Sequence, residues 1–268
     1  MLRALLLTAL ALASACGGEP SKPDRGAPAR RIASLSPAIS SAILAMGWGD
    51  RLVGRTPWCS GSDATPVVGS LLEVDLERLA AAKPELILMQ RAASGAPAGL
   101  VEAAAARGWR VVSVPCTTLD DVQALGSAIE AAVGESAPRD IGPAAWREVQ
   151  APLAGAQRAS PAILLLSSDP PMAFGRDAYL SELWRRWGGV TLPDSPGHPA
   201  LSLEDLTALR PRTIVLAGAP SASAGLAQAC AARGIALMVV EDPRLLRPGP
   251  DLLEAAHAWR RQLEQGAP

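Results

Sequence analysis

The side chains that could do chemistry in this sequence stand on segments following short apolar runs. They are Ser36, Trp58, Gln90 and Arg91 in the first half, and Met172, Phe174, Arg176, His198 and Arg244 in the second. Their types suit binding. A flat ring such as Trp58 or Phe174 stacks on a planar ligand. A guanidinium (Arg91, Arg176, Arg244) pairs with carboxylates or phenolates, and each of these arginines has the alternative of being a surface residue. Catalytic arrangements do not accompany them. The sequence has no G-x-x-x-x-G-K-[ST] phosphate loop and no G-x-S-x-G nucleophile elbow. Gly47-Trp-Gly-Asp-Arg-Leu-Val-Gly54 has the wrong spacing for a dinucleotide fingerprint and ends a helix instead of opening one. His198 sits in Pro-Gly-His-Pro and His257 in the last amphipathic stretch, neither beside a Cys or Ser partner. The acid pairs Asp120-Asp121 and Glu204-Asp205 fall at helix starts, where capping accounts for them. We therefore expect no enzyme, no cofactor and no metal site, since two histidines are too few for a His-rich zinc or manganese centre. An exported α/β enzyme would need a nucleophile–base pair or a cofactor across the cleft. A lipoprotein that only scaffolds a partner is the third class.

The elements that must hold these side chains occur twice. Asp75-Leu-Glu-Arg-Leu-Ala-Ala-Ala-Lys-Pro-Glu-Leu-Ile-Leu-Met89 aligns with Ser202-Leu-Glu-Asp-Leu-Thr-Ala-Leu-Arg-Pro-Arg-Thr-Ile-Val-Leu216, so that Glu77 and Glu204 correspond, 127 positions apart. Gly108 and Gly234, 126 apart, close a second matched pair of helix-then-strand blocks. In each block a short amphipathic helix stops before Pro84 or Pro211, and a fully apolar strand follows (Leu86 to Met89, Thr213 to Ala217). Short apolar strands alternating with helices build a parallel sheet covered on both faces.

The expected fold is therefore α/β. Two Rossmann-like lobes with parallel sheets, residues 30–117 and 159–268, are joined by a long backbone helix within a connecting segment, 118–158. The ligand cleft lies between the lobes, beyond the carboxyl ends of the strands. In that connector Leu119 to Val133 has helical spacing, and a second helical piece is expected over Ala144 to Leu153. Trp109, Trp146, Trp184, Trp187 and Trp259 read as packing residues.

Residues 1–15 read as an export signal: Arg3, an apolar run from Ala4 to Leu12 too short for the ~20 residues of a membrane span, then Ala13-Ser14-Ala15. Cys16 follows as a lipidation candidate, with simple cleavage after Ala15 as the alternative, and 16–29 reads as a polar tether. Of the remaining thiols, Cys59 and Cys116 could form a disulfide. Three separate buried thiols, Cys230 included, are the other reading.

The chain has 268 residues, 25 Lys+Arg against 26 Asp+Glu, and 3% aromatics. Near-neutrality removes the clustered basic excess of a nucleic-acid partner.

The order and spacing of Arg31-Ile-Ala-Ser-Leu-Ser-Pro37, Gly47 to Gly54, Leu76 to Leu88, Gly188-Gly189, Ser202-Leu-Glu204 and Arg247-Pro-Gly-Pro250 carry a likeness. On them the sequence resembles the periplasmic substrate-binding proteins of ABC importers, in the helical-backbone family for iron–siderophore, haem and cobalamin uptake. It is most similar to the cobalamin-binding branch. The resemblance implies a monomeric periplasmic or lipid-anchored receptor that hands a chelate to a membrane permease. Glu77 and Glu204 would then dock on permease arginine pockets, the alternative being two solvated helix glutamates. It also implies an aromatic at Trp58 against a corrin or aromatic chelate. The cobalamin branch carries aromatics where Gln90 and His198 stand here, and the family often has a glutamate where this chain has Ser40-Ser41. Arg91, Arg176 and Arg244 would suit siderophore or haem carboxylates.

Overall fold

The computed structural model describes residues 27–92 and 94–266. The export signal, Cys16 and most of the tether lie outside the described residues.

The first lobe runs β1 (Ile32–Ser34), α1 (Pro37–Ala45), β2 (Leu52–Gly54), α2 (Leu76–Ala82), β3 (Leu86–Gln90), α3 (Leu100–Arg107) and β4 (Arg110–Val114). Its sheet is parallel throughout, in the order β2-β1-β3-β4. Strand alternation sends Ile32, Leu86 and Leu88 to a layer shared with α1. Ala33, Ile87 and Met89 go to the opposite layer, under α2 and α3.

The connector holds α4 (Leu119–Gln123), α5 (Leu125–Val133), a 3-10 turn at Pro143–Trp146 and α6 (Ala154–Arg158). The expected long helix over Leu119 to Val133 is thus present in two pieces, interrupted at Ala124. The break lets Leu119 and Val122 join the second lobe's core while Leu125, Ile129 and Val133 join the first. The second piece differs more from expectation. Over 144–153 there is only the 3-10 turn, and α6 starts after Pro152, whose ring disfavours helical geometry at the residue before it.

The second lobe runs β5 (Ala162–Ser168), β6 (Pro171–Ala173), α7 (Tyr179–Arg186), β7 (Thr191–Leu192), α8 (Leu203–Ala208), β8 (Thr213–Ala217), α9 (Ala224–Arg233), β9 (Ala236–Val240) and α10 (Pro250–Glu264). Its order is β6-β5-β8-β9, with β7 also beside β5. One strand departs from the expected parallel arrangement: β6 turns back antiparallel on the end of β5. Trp184, Trp187 and Trp259 pack ring on ring with centroids 5.0–6.1 Å apart. With Trp146 they are fully buried, as expected; Trp109 is half-buried with the Arg107 guanidinium over its ring.

The repeat extends to single bonds. Glu85 N–H donates to the Arg31 carbonyl and Arg212 N–H to that of Pro161, both at 2.8 Å. Leu79 and Leu206, 127 positions apart, are each fully buried. Tyr179 N–H donating to the Thr117 carbonyl (2.9 Å) ties the lobes together, and Leu119 N–H donating to Glu182 Oε2 (2.6 Å) ties the connector to the second lobe. Where α10 begins against α1, Ser41 donates to Asp251, and Arg247 reaches both Asp251 (3.2 Å) and Ser60 (3.0 Å).

Candidate ligand site

Sheet order brings the first-lobe candidates together. Because β1 lies between β2 and β3, the loops leaving their carboxyl ends are neighbours. Ser36 precedes α1, where Pro37 starts the helix without needing a donor. Gln90 ends β3, and Ser36 Oγ donates to Gln90 Oε1 at 3.4 Å. Trp58, on the loop after β2, stands 62% exposed. Together Ser36, Trp58 and Gln90 line a slot of about 110 Å³ with Leu35, Pro37, Thr56, Ser70, Leu71 and Leu72. Trp58 and Ser70 also border a larger hollow of about 470 Å³ that includes Glu73, Asp75 and Arg78. On the other side, Leu71 and Leu72 border one of about 350 Å³ formed with the Ser94–Ala98 loop. The three make a trough across the top of the first lobe. Arg91, next to Gln90 in sequence, is exposed and lines none of the three; its backbone N–H donates to the Val114 carbonyl, and its side chain makes no hydrogen bond among the described residues.

The second-lobe candidates do not converge on that trough. Phe174 is a core residue, 2% exposed, edge-on to Tyr179 (5.5 Å) and to His198 (5.4 Å). Met172 is half-buried on β6, bridging to Ala200. Partial desolvation lowers the His198 pKa, against the opposing charge of Asp177. Arg176 donates to the Asp194 carbonyl at 2.9 Å. Arg244 is held by both oxygens of Asp242 (2.9 and 2.8 Å) and by Glu254 (2.9 Å). The Arg244 guanidinium in turn holds the Asp242 carboxyl below its usual range. These two arginines are committed inside their own lobe.

Of the two readings of the thiols, the structure has the second, with no Cys59–Cys116 disulfide. Cys59, Cys116 and Cys230 are separate buried thiols. Cys59 sits behind the trough, bonded to Ser40 Oγ (2.9 Å) and Thr56 Oγ1 (3.1 Å). Cys116 joins the layer between β4 and α5. Cys230 packs in the layer with Leu206, Ile214 and Leu226.

Glu77 and Glu204 occupy the second position of α2 and α8, exposed, and among the described residues neither carboxylate has a partner. Capping falls to their neighbours. Asp75 accepts from Arg78 N–H (2.9 Å), and Ser202 and Asp205 form a reciprocal capping box. Of the acid pairs, Asp121 and Asp205 cap, while Asp120 faces Arg186 at 3.5 Å.

Leu72 and Ser70 escaped the reading of the sequence. A signal was present, two leucines in a polar loop after Gly69, but loop apolarity alone does not say which cavity it meets. Among the described residues no group of three or more His, Cys, Asp or Glu side chains is placed to hold a metal ion.

No protein-family model and no curated protein matches the sequence. Solved structures match over most of the chain. The periplasmic vitamin B12 binding protein of Vibrio cholerae superposes with a TM-score of 0.67 at 22% identity, covering 90% of this chain and 99% of that one. A periplasmic heme-binding protein in complex with two hemes gives 0.69 at 20%, covering 88% and 98%. A periplasmic heme binding protein from Pseudomonas aeruginosa gives 0.64 at 20%, covering 90% and 94%. The chain thus has the two-lobed α/β fold of periplasmic binding proteins.

Proposed function

We propose that this protein is the substrate-binding component of an ABC importer. It captures a chelate (cobalamin or another corrinoid, haem, or an iron siderophore) and delivers it to the membrane permease. It acts as a carrier and not as an enzyme, exported as a monomer and tethered through a lipid on Cys16. The observation that carries this reading is the duplicated pair Glu77 and Glu204. Two carboxylates, without a partner among the described residues, at the same position of two repeat-related helices suit a permease with paired arginines, since such pairs are charge-assisted and directional. The uncommitted trough at Ser36, Trp58 and Gln90 supports capture on the same face of the sheet as a ligand crevice. The likeness to binding proteins for vitamin B12 and heme supports the ligand class.

The test is a vesicle pull-down with the cognate permease. The double variant Glu77→Ala, Glu204→Ala loses docking while chelate affinity survives. Docking that persists unchanged would sink the delivery role.

A further inference from the structure

We propose that the amino-terminal edge of the second-lobe sheet is a surface that lies on an anionic lipid bilayer. This goes beyond chelate capture and rests on the carrier reading only for the nearness of a membrane.

Strand register builds the edge. Thr191, Ala162, Thr213 and Ala236 pair across β7, β5, β8 and β9, all parallel. The residues just before them, Val190, Pro161, Arg212 and Ile235, therefore stand in one row about 4.8 Å apart. Val190 is 56% exposed, and Pro161 and Ile235 are half-buried. Arg158, Arg210 and Arg233 come two or three residues earlier in the same entering segments. All four arginines are exposed, and none has a side-chain partner among the described residues. The segments 158–161, 188–190, 209–212 and 233–235 contain no acidic residue. Glu264, in the last turn of α10, is already paired with Arg260 at 3.1 Å. Arg158 and Arg212 also border a hollow of about 320 Å³ with Thr213, Ala236 and Leu263. A lipid phosphate there would meet two guanidiniums, whose fork suits its oxygens.

The repeat shows that the fold does not require this charge. Arg212 is the counterpart of Glu85, 127 positions earlier, whose carboxylate accepts from Arg30 N–H (2.6 Å) and Arg31 N–H (3.4 Å). Pro161 takes the place of Arg31 and has no N–H to offer, so a guanidinium stands where the carboxylate was. The rest of the first-lobe edge is neutralised from within. Arg30 and Arg51 both reach Glu135, and Arg31 donates to the Lys83 and Ala82 carbonyls. Arginine at a helix end ordinarily answers the negative end of the helix dipole. That accounts for Arg158 and Arg233, but Arg212 lies one residue before a strand.

Guanidiniums interleaved with exposed apolar side chains match a bilayer interface, where the first meet phosphates and the second the acyl boundary. A soluble polyanion would leave Val190 and Ile235 uncovered. Glu204 begins α8 and Arg210 follows its end, so this edge is separate from the face proposed for permease docking.

The test is co-sedimentation of the purified chain with phosphatidylcholine vesicles, with and without phosphatidylglycerol, and with no chelate or permease present. The amino-terminal segment is common to all variants, so the readout is the ratio of binding to the two vesicles. Wild type is expected to favour the anionic vesicles and to lose that preference at high salt. Arg158→Gln combined with Arg212→Gln should lower the ratio by about fivefold for each arginine removed. Val190→Asp should lower it as well, and both variants should keep the wild-type melting temperature because these side chains are exposed. Arg107→Gln, at the first-lobe counterpart of Arg233, should leave the ratio unaltered. Equal binding to both vesicles, or an unchanged ratio in the double variant, would overturn the proposal. Displacement by inorganic phosphate at constant ionic strength would overturn it too, marking a site for the free anion. Failure here leaves the delivery role standing, and failure of Glu77 and Glu204 in docking leaves this surface standing.

Discussion

Lys83 and Arg210, 127 positions apart, both turn into the left-handed region, at φ 48° and 49°, as the last residue before a proline. No other non-glycine residue does so among those described. Lys83 caps the helix that presents Glu77, and Arg210 directly follows Leu209, the cap of the helix that presents Glu204. The two lobes thus share even their backbone strain.

That strain is removable. A non-glycine residue in the left-handed region costs about 1–2 kcal/mol, partly offset by the greater freedom glycine gives the unfolded chain. Lys83→Gly and Arg210→Gly are each expected to stabilise by about 0.5–1 kcal/mol, and Lys83→Val to destabilise by at least as much. Urea midpoints at constant slope check this; a glycine variant less stable than wild type contradicts it.

Arg51 lies buried over the Trp48 ring, 4.9 Å from its centroid, and reaches Glu135 at 2.8 Å. The Arg51 guanidinium holds the Glu135 carboxyl below its ordinary value. The unfolded chain therefore binds this proton more readily than the folded one. The pair's contribution is complete above the ordinary glutamate pKa of about 4.5 and is lost as pH falls through the lowered folded value. Glu135→Gln should flatten the acid limb of the stability profile there and leave its slope at neutral pH unaltered. An unchanged acid limb, followed by circular dichroism, would speak against it.

In the tryptophan cluster, Trp187 Nε1 donates to the Val149 carbonyl at 2.6 Å, whereas Trp259 Nε1 has no partner among the described residues. Trp259→Ala should cost about 3–5 kcal/mol. Trp187→Phe should cost about 1 kcal/mol more than Trp259→Phe, because it leaves a buried carbonyl unpaired. Chemical denaturation of the pair decides the order.

Burial, with a smaller push from Asp121, raises the Cys116 thiol to about 12. Burial also raises that of Cys230. Reducing agent should leave the melting temperature of the two-lobed domain unchanged. A thiol reagent at pH 8 should label Cys116 and Cys230 only at the rate of unfolding. Rapid labelling of either, or a melting temperature that falls on reduction, would contradict separate buried thiols.

Much of this was legible in the chain itself. The repeat anchored on Glu77 and Glu204, the proline stops at Pro84 and Pro211, and the apolar strands over Leu86 to Met89 and Thr213 to Ala217 depend on periodicity and local stereochemistry, which sequence encodes directly. Buried Trp184, Trp187 and Trp259 were equally readable, since an amphipathic helix states which face it hides. The break at Ala124 was not: Leu119 and Leu125 keep helical spacing while serving two different cores.

The binding side chains divide the same way. Composition and spacing determined by themselves that two α/β lobes would form and that Ser36, Trp58 and Gln90 would leave strand ends. Only the tertiary structure decided which of the candidates meet. Strand order seats Trp58, Ser36 and Gln90 in one slot and adds Leu72 from a hairpin that Gly69 closes. The same packing turns Phe174 into the core and commits Arg244 to Asp242 and Glu254. The reason is physical: a side chain's type and local conformation are set by short-range chemistry, but its partners are set by long-range contacts between strands and lobes, which no local pattern specifies.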